Sequence, residues 1–402
     1  MSQSQKIFLG LFVGIVAGIL INWYKPEIAP AVKVFSQIFL RLIKMIIAPL
    51  IFATLVAGIA GAGHFKDVGR MGLRAIVYFE IVTTLALMIG LVLVNVLKPG
   101  VGVALPSTAT QAAMPPQTWD QILLHTIPES VVDAMAKGDV LQIVVFSMLF
   151  AIALGTLGEK GRPIITFCES LSETMFKFTN IIMGYAPIGV AAAIAYTIGV
   201  SGLGVMKNLA GLIGALYLGL VVFLGLVLIP VALLFKVPLG KFIQYVKEPW
   251  LIAFSTSTSE AALPLAMENM EALGCPRRIV SFVLPLGYTF NLDGTTLYLS
   301  MASIFVAQAA GVHLSIGQQI TMMLTLMLTS KGVAGVPRAS LVILAGTLAS
   351  YNLPLEGVTL ILGVDAVMDM ARTSVNVVGN CLATVVISKW EGEFKETAKA
   401  SP

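Results

Sequence analysis

Six long apolar runs mark the first 235 residues: 7–23, 45–62, 75–97, 141–157, 181–200 and 209–235. A helix needs roughly 20 residues to cross a hydrocarbon core about 30 Å thick, so each run predicts a membrane-spanning helix. The second has room to start earlier, because 34–43 is apolar around Arg41 and Lys44. The stretch 98–139 is polar and carries Pro106, Pro115, Pro116 and Trp119, which predicts an extramembrane loop. The run at 7–23 follows a single Lys, and no small-residue cleavage site comes after it, so it reads as a first span rather than a removed leader.

After Lys247 the pattern changes. Apolar segments continue, but four polar or glycine-rich pieces interrupt them: STSTSE (255–260), NLDGTT (291–296), SKGVAGVP (330–337) and DAVMDMARTSVNVVGN (365–380). Irregular backbone at membrane depth survives only where protein buries it or a cavity receives it. Two hairpin-like stretches each precede a polar membrane helix, an order that predicts an internal inverted repeat of hairpin, helix, hairpin, helix. Gly332 and Gly335 permit unusual dihedrals at the second tip, and Pro337 fixes a turn there.

The last piece carries the most chemistry. Asp365, Asp369, Arg372, Asn376 and Asn380 recur at i, i+4, i+7, i+11 and i+15, so they share one face of a helix. Ionisable groups inside a membrane are costly and mark solute or ion paths. The alternative is an Asp–Arg bridge that only ties helices together, but a brace does not need five polar positions. Arg372 offers a planar fork to a carboxylate, and Asp369 suits an ammonium. A ligand with both groups is an amino acid, and a second carboxylate would fall to backbone N–H groups at a hairpin tip. In NLDGTT, Asn and Asp before Gly within an apolar run break the helix, freeing carbonyls beside the Asn291 and Asp293 oxygens, a cage for a hard cation such as sodium. Glu80, within VYFEIVTTLAL, is the candidate proton carrier, with an interfacial carboxylate as the other reading.

Composition narrows the class. Of 402 residues, 57% are hydrophobic and 11% charged, and the mean hydropathy is +0.92. A soluble domain carries about 25% charged residues, so lipid is the natural solvent for this chain. The net charge of +4 is spread over short loops and gives no nucleic-acid face. Basic residues at Lys66, Arg70, Arg74, Lys160, Arg162, Lys236, Lys241 and Lys247, with Lys389, Lys395 and Lys399 in the tail, predict that those loops and both termini are cytoplasmic. The loop with only Lys207 and the basic-poor 98–139 would lie outside. Cys168, Cys275 and Cys381 show no paired spacing, His64, His125 and His313 are isolated, and no catalytic constellation is present, which argues against an enzyme and against a resident cofactor.

Together the serine-rich STSTSE, PLGYTFNLDGTTLY, the GVAGVP tip and DMARTSVNVVGN resemble the dicarboxylate/amino acid:cation symporter family, the glutamate transporter family. The likeness covers essentially the whole chain and is strongest over 254–390. It implies an all-α polytopic protein of eight transmembrane helices and two re-entrant hairpins, assembled as a homotrimer in a bacterial inner membrane. A transport domain would slide like an elevator past a trimerisation scaffold. The implied divisions are 1–74, scaffold helices one and two; 75–97, transport helix three; 98–140, extracellular loop; 141–205, scaffold helices four and five; 206–390, the remaining transport domain; and 391–402, cytoplasmic tail.

Carried over residue by residue, the family motif implies substrate contacts at Ser259, Thr295, Val336 (through its backbone), Asp369, Arg372, Thr373 and Asn376. Asp369 would meet the ammonium and Arg372 the side-chain carboxylate. Cation positions fall at Gly287, Thr289, Asn291, Asp293, Ser330, Asp365, Asn376 and Asn380. The chain departs from the sodium-coupled pattern at Asn380, where those members usually have Asp. Leu292 replaces a frequent Met, and Leu299 stands where some proton-using members have an acid, which leaves Glu80 as the proton carrier. The implied activity is uptake of glutamate or aspartate on a proton or sodium gradient, since members that carry neutral amino acids lack the Arg and members that carry dicarboxylates lack the Asp–Arg arrangement. A C4-dicarboxylate:cation symporter is the alternative, and an anion channel a more distant one.

Overall fold

The computed structural model describes residues 3–61, 65–103, 124, 127–330 and 339–395, and every regular element among them is helical. The first three helices are α1 (Gln3–Tyr24), α2 (Ala29–Gly61) and α3 (Phe65–Leu97). A short α4 (Val131–Lys137) leads into α5 (Val140–Thr156). Then come α6 (Arg162–Met183), α7 (Ala186–Ser201) and α8 (Gly204–Leu234). The remainder is α9 (Leu239–Thr256), α10 (Ser259–Leu273), α11 (Arg277–Phe290), α12 (Asp293–Ala309), α13 (Ile316–Thr329), α14 (Ala339–Ser350) and α15 (Glu356–Trp390). Five helices (α1, α2, α3, α8 and α15) are long and apolar enough to cross a membrane, and the bent pair α6–α7 makes a sixth.

Most predicted spans lie inside these helices, with two instructive differences. The second and third helices start 16 and 10 residues earlier than the runs 45–62 and 75–97, because α2 continues through Arg41 and Lys44, both exposed, and α3 through Arg70 and Arg74. Charges on one exposed face interrupt an apolar run without interrupting a helix. The run 181–200 captured α7 but missed α6, which turns into it through a 50° bend at Gly184–Tyr185. Helix α6 is amphipathic: Cys168, Ser172, Met175 and Thr179 are buried at helical spacing while Glu169, Glu173 and Lys177 are exposed. A scan for unbroken apolar text does not see it.

The helices pack in two groups. In one, α1 lies along α7, and α2 packs against α5, α6 and α7. Backbones approach closely there: a Cβ on Gly14 would lie 2.6 Å from the Ala191 carbonyl oxygen, which is the small-residue packing that membrane helices use in place of a hydrophobic drive. In the other group, α15 is the hub, packed by α8, α9, α10, α11, α12 and α14, and α12 is buried on all sides between α15 and α3. Helices α9 and α10 form a hairpin about Ser257–Thr258. Ser257 adopts left-handed backbone (φ 55°), and the Asn269 amide donates to the Tyr245 carbonyl at 2.7 Å, twelve residues on each side of the turn. A hairpin at 255–260 was the expectation. The second expected tip lies outside the described residues from 331 to 338, between α13 and α14.

The two groups meet along α15, which also touches α1, α2 and α7. At one end Lys33 of α2 reaches Glu356 at the start of α15 (3.7 Å). At the other, Arg74 of α3 bonds the Trp390 carbonyl (2.6 Å) and Glu391 (2.9 Å), and Arg278 of α11 holds Glu393. The start of α3, the start of α11 and the end of α15 are thereby gathered, so the basic text around Arg70 and Arg74 shares one end of the molecule with the C-terminal tail.

Candidate functional site

The predicted break in NLDGTT is present. Helix α11 ends at Phe290, Asn291 and Leu292 leave helical backbone (φ/ψ −125/73° and −100/62°), and α12 starts at Asp293. A helix start exposes N–H groups that need acceptors. Here Asn376 of α15 supplies one: its Oδ1 accepts from Gly294 N (2.7 Å) and Thr295 N (3.3 Å), and its Nδ2 donates to Thr295 Oγ1 (3.0 Å). Gly294 is required for this approach, since a Cβ there would collide with the Arg372 carbonyl oxygen.

Below the break lies a cluster of amides and one carboxylate, all buried. The Asn291 Nδ2 donates to Asp293 Oδ2 (3.0 Å) and to Asn380 Oδ1 (3.1 Å), and Thr83 of α3 donates to Asn291 Oδ1 at 3.5 Å. Gly379 and Gly287 admit this packing: a Cβ on the first would strike the Asp293 carboxylate, and a Cβ on the second the Asn380 amide oxygen. The Asn380 Nδ2 is buried with no hydrogen-bond acceptor among the described residues. An amide here therefore contributes an oxygen but no charge.

Above the break, one turn along α15, sits the ionic cluster. Arg372 is 1% exposed; its Nη1 bonds Asp365 Oδ1 at 2.8 Å and its Nε bonds Asp369 Oδ1 at 3.0 Å. Thr373 Oγ1 also donates to Asp369 Oδ1 (3.2 Å), and the Tyr298 ring lies 4.0 Å from the guanidinium. All three charged residues belong to α15, and the ring that meets the guanidinium, Tyr298, belongs to α12. Around the break and the hub the described buried charges are Asp293, Asp365 and Asp369 against Arg372, three acids to one base, a formal charge of −2. Charges held this far from water must be balanced or occupied.

The structure brings together Gly287, Asn291, Asp293, Thr295, Asp365, Asp369, Arg372, Thr373, Asn376 and Asn380 by the bonds and close approaches above. Thr289 is in the last turn of α11, one residue before Phe290, and Ser330 ends α13, buried, with its hydroxyl on Met327 O (3.1 Å). Ser259 is the first residue of α10 and half-buried, and among the described residues no hydrogen bond joins it to the α15 cluster. Val336 lies outside the described residues. Glu80 is half-buried, 15 residues into α3 and about 22 Å from its start, one turn before Thr83. Sequence reasoning missed Tyr298 and Thr83. Tyr298 lies three residues after Thr295 on a helix buried at every position but Gln308, a cue that periodicity alone could have offered.

The sodium:dicarboxylate symporter family matches residues 4–390. The proton/sodium-glutamate symport protein of Bacillus subtilis is 44% identical over 401 residues, covering 97% of this chain and 93% of that protein. The C4-dicarboxylate transport protein of Laribacter hongkongensis is 45% identical over 402 residues, 97% and 91% of the two chains. The proton/glutamate-aspartate symporter of Bacillus subtilis is 42% identical over 401 residues, 98% and 97%.

Proposed function

The chain belongs to the sodium:dicarboxylate symporter family, and from that premise we propose that it takes up an acidic amino acid, glutamate or aspartate, together with protons, sodium ions or both. It is a multi-pass membrane transporter and not an enzyme. The observation that carries the reading is the net-negative buried cluster with Arg372 at its centre. An acidic amino acid brings a further negative charge into a core of formal charge −2, and Coulomb repulsion opposes that step in a low dielectric. Cations entering with the solute remove the conflict, so coupling follows from the charge balance of the site.

In this mechanism Arg372 turns its fork from Asp365 to the solute's side-chain carboxylate, which leaves Asp365 for a cation. Asp369 receives the ammonium, with Thr373 fixing its other interactions. Asn376 and Thr295 hold the start of α12 beside the solute. Asn291, Asp293 and Asn380, with backbone around Gly287 and Thr289, form the cation cage, while Ser330 serves at the second tip. Glu80, half-buried in α3 one turn before Thr83, carries the proton. Ser259 and the Val336 backbone close over the solute from the two hairpins. The remaining architecture is proposed on the family likeness: eight spans with two re-entrant hairpins, α1, α2 and α5–α7 as a trimeric scaffold, the α15-centred group as the moving elevator, and both termini in the cytoplasm of a bacterial inner membrane.

The rival solute is a C4-dicarboxylate. It is favoured by one specific contact: Asp369 Oδ1 already accepts from Arg372 and Thr373, which mutes its demand for an ammonium. The test is accumulation of labelled aspartate in proteoliposomes under separately imposed sodium and proton gradients. Accumulation under either supports the proposal, and its absence under both defeats it. Asp369→Asn then separates the solutes, since it abolishes amino-acid uptake in the main reading and spares succinate uptake in the rival.

A further inference from the structure

The two packing groups meet along α15, and part of that seam is smooth. A Cβ on Gly363 of α15 would lie 3.2 Å from the Leu11 side chain of α1, and 3.4 and 3.7 Å from those of Val190 and Ile194 of α7. Apolar contact is non-directional, so it holds two groups together without fixing how far one has slid along the other. A charged pair breaks the pattern where α15 begins. Lys33 of α2 is 7% exposed, and its ammonium lies 3.7 Å from Glu356 in the first turn of α15. Tyr196 of α7 presents its ring 5.2 Å from the same nitrogen.

The ammonium is poorly supplied. Among the described residues no hydrogen-bond acceptor reaches it, and 3.7 Å is too long for a hydrogen bond to Glu356. A cation buried this deep depends on that one acid and on the face of the ring. The text of α15 offers no substitute acid. Residues 357–364 carry no charge, and Asp365 is nine positions after Glu356, about 14 Å along the helix. On the other side, residues 351–355 carry none. Sliding α15 by more than a turn, about 5.4 Å, in either direction therefore takes Glu356 from Lys33, while Tyr196 stays beside it on the neighbouring α7. Setting register is the best-attested use of a buried ionic pair, whose net stability is small.

We propose that Lys33, Tyr196 and Glu356 form a latch that fixes the register of the α15-centred group against α2 and α7, so that the group leaves this position only by giving up the pair. The movement rests on the proposed function; the dependence of the pair on one register does not. The test is the distance between spin labels at Lys25→Cys, exposed after α1, and Lys98→Cys, exposed after α3, one in each group. Cys168, Cys275 and Cys381 are buried and stay unlabelled. With Lys33 and Glu356 intact, the distance of the structure should form a distinct population. Lys33→Gln should lower the ratio of that population to the others about fivefold. Lys33→Met should lower it as much while melting no lower than wild type, because an apolar chain replaces the buried charge. Glu356→Lys, which sets two cations together, should lower it further, and Lys33→Glu combined with Glu356→Lys should restore it. Populations indifferent to Lys33→Met, or a swap no better than Glu356→Lys alone, overturn the latch. If the populations respond as expected but proteoliposomes of the wild type accumulate no acidic amino acid, the latch stands and the transport reading fails.

Discussion

Replacing Asn380 by Asp asks whether the cage below the break is short of one negative charge. Asp293 Oδ2 and Asn380 Oδ1 both contact the single Asn291 Nδ2, at 3.0 and 3.1 Å, so these oxygens can be no more than about 6 Å apart. Two like charges at about 6 Å repel by roughly 3 kcal/mol at an effective dielectric of about 20. Without a cation, Asn380→Asp should therefore be less stable than wild type by about 3 kcal/mol. A bound sodium ion between the two carboxylates reverses the sign, because each then gains an attractive partner. The assay is thermal unfolding of the purified variant against sodium concentration at fixed ionic strength, with choline as the replacement ion, and sodium-driven uptake in parallel. The variant should melt well below wild type in choline, recover as sodium rises, and show a steeper sodium dependence of uptake than wild type. A variant as stable as wild type in choline, or indifferent to sodium, would refute the placement of residue 380 in a cation cage.

Gly379→Ala should destabilise by about 1–3 kcal/mol, the range for overpacking, although Ala ordinarily gains about 1 kcal/mol over Gly inside a helix; a stabilised variant in a melting assay would contradict the close approach of the Asp293 carboxylate. Lys33→Gln removes the partner of Glu356 across the boundary between α2 and α15, where the two side chains are 8% and 23% exposed. Such a partly exposed pair is worth about 1 kcal/mol, or roughly a fivefold bias between arrangements, so the variant should alter maximal uptake rate several-fold with little change in KM; an unchanged rate would mean the pair does not separate during transport. Arg278 holds the Glu393 carboxyl below the usual carboxylate range, chiefly through their hydrogen bond. That tie is fully present above the ordinary Glu value of about 4.3 and is lost as pH falls through the lowered value. Glu393→Gln should consequently flatten the acid limb of the stability curve, measured by melting between about pH 3 and 6.

The polar stripe was readable because helical periodicity needs only one strand of text, and residues 365 to 380 lie on one helix. The partners of that stripe were not readable. Asn376 caps α12 from 81 and 82 residues away, and Thr83 meets Asn291 across 208. No local pattern encodes such pairings, and only the resemblance of motifs suggested that these segments share a site. The apolar scan failed for a physical reason at α6, whose exposed Glu169, Glu173 and Lys177 hide a buried face, and at the start of α3, where Arg70 and Arg74 precede the apolar run on a continuous helix; the earlier start of α2 was anticipated. The choice made by Arg372 was open for another reason. Spacing places Asp365, Asp369 and Arg372 on one face, but whether the guanidinium faces a ligand or its own helix depends on what else is bound. In the structure, the intrahelical acids satisfy it. In the proposed mechanism a solute carboxylate displaces Asp365 from Arg372, and the displaced carboxylate takes a cation. On that proposal the exchange of partners at one guanidinium links solute binding to ion binding, and the link would run both ways: a cation on Asp365 would free Arg372 for the solute.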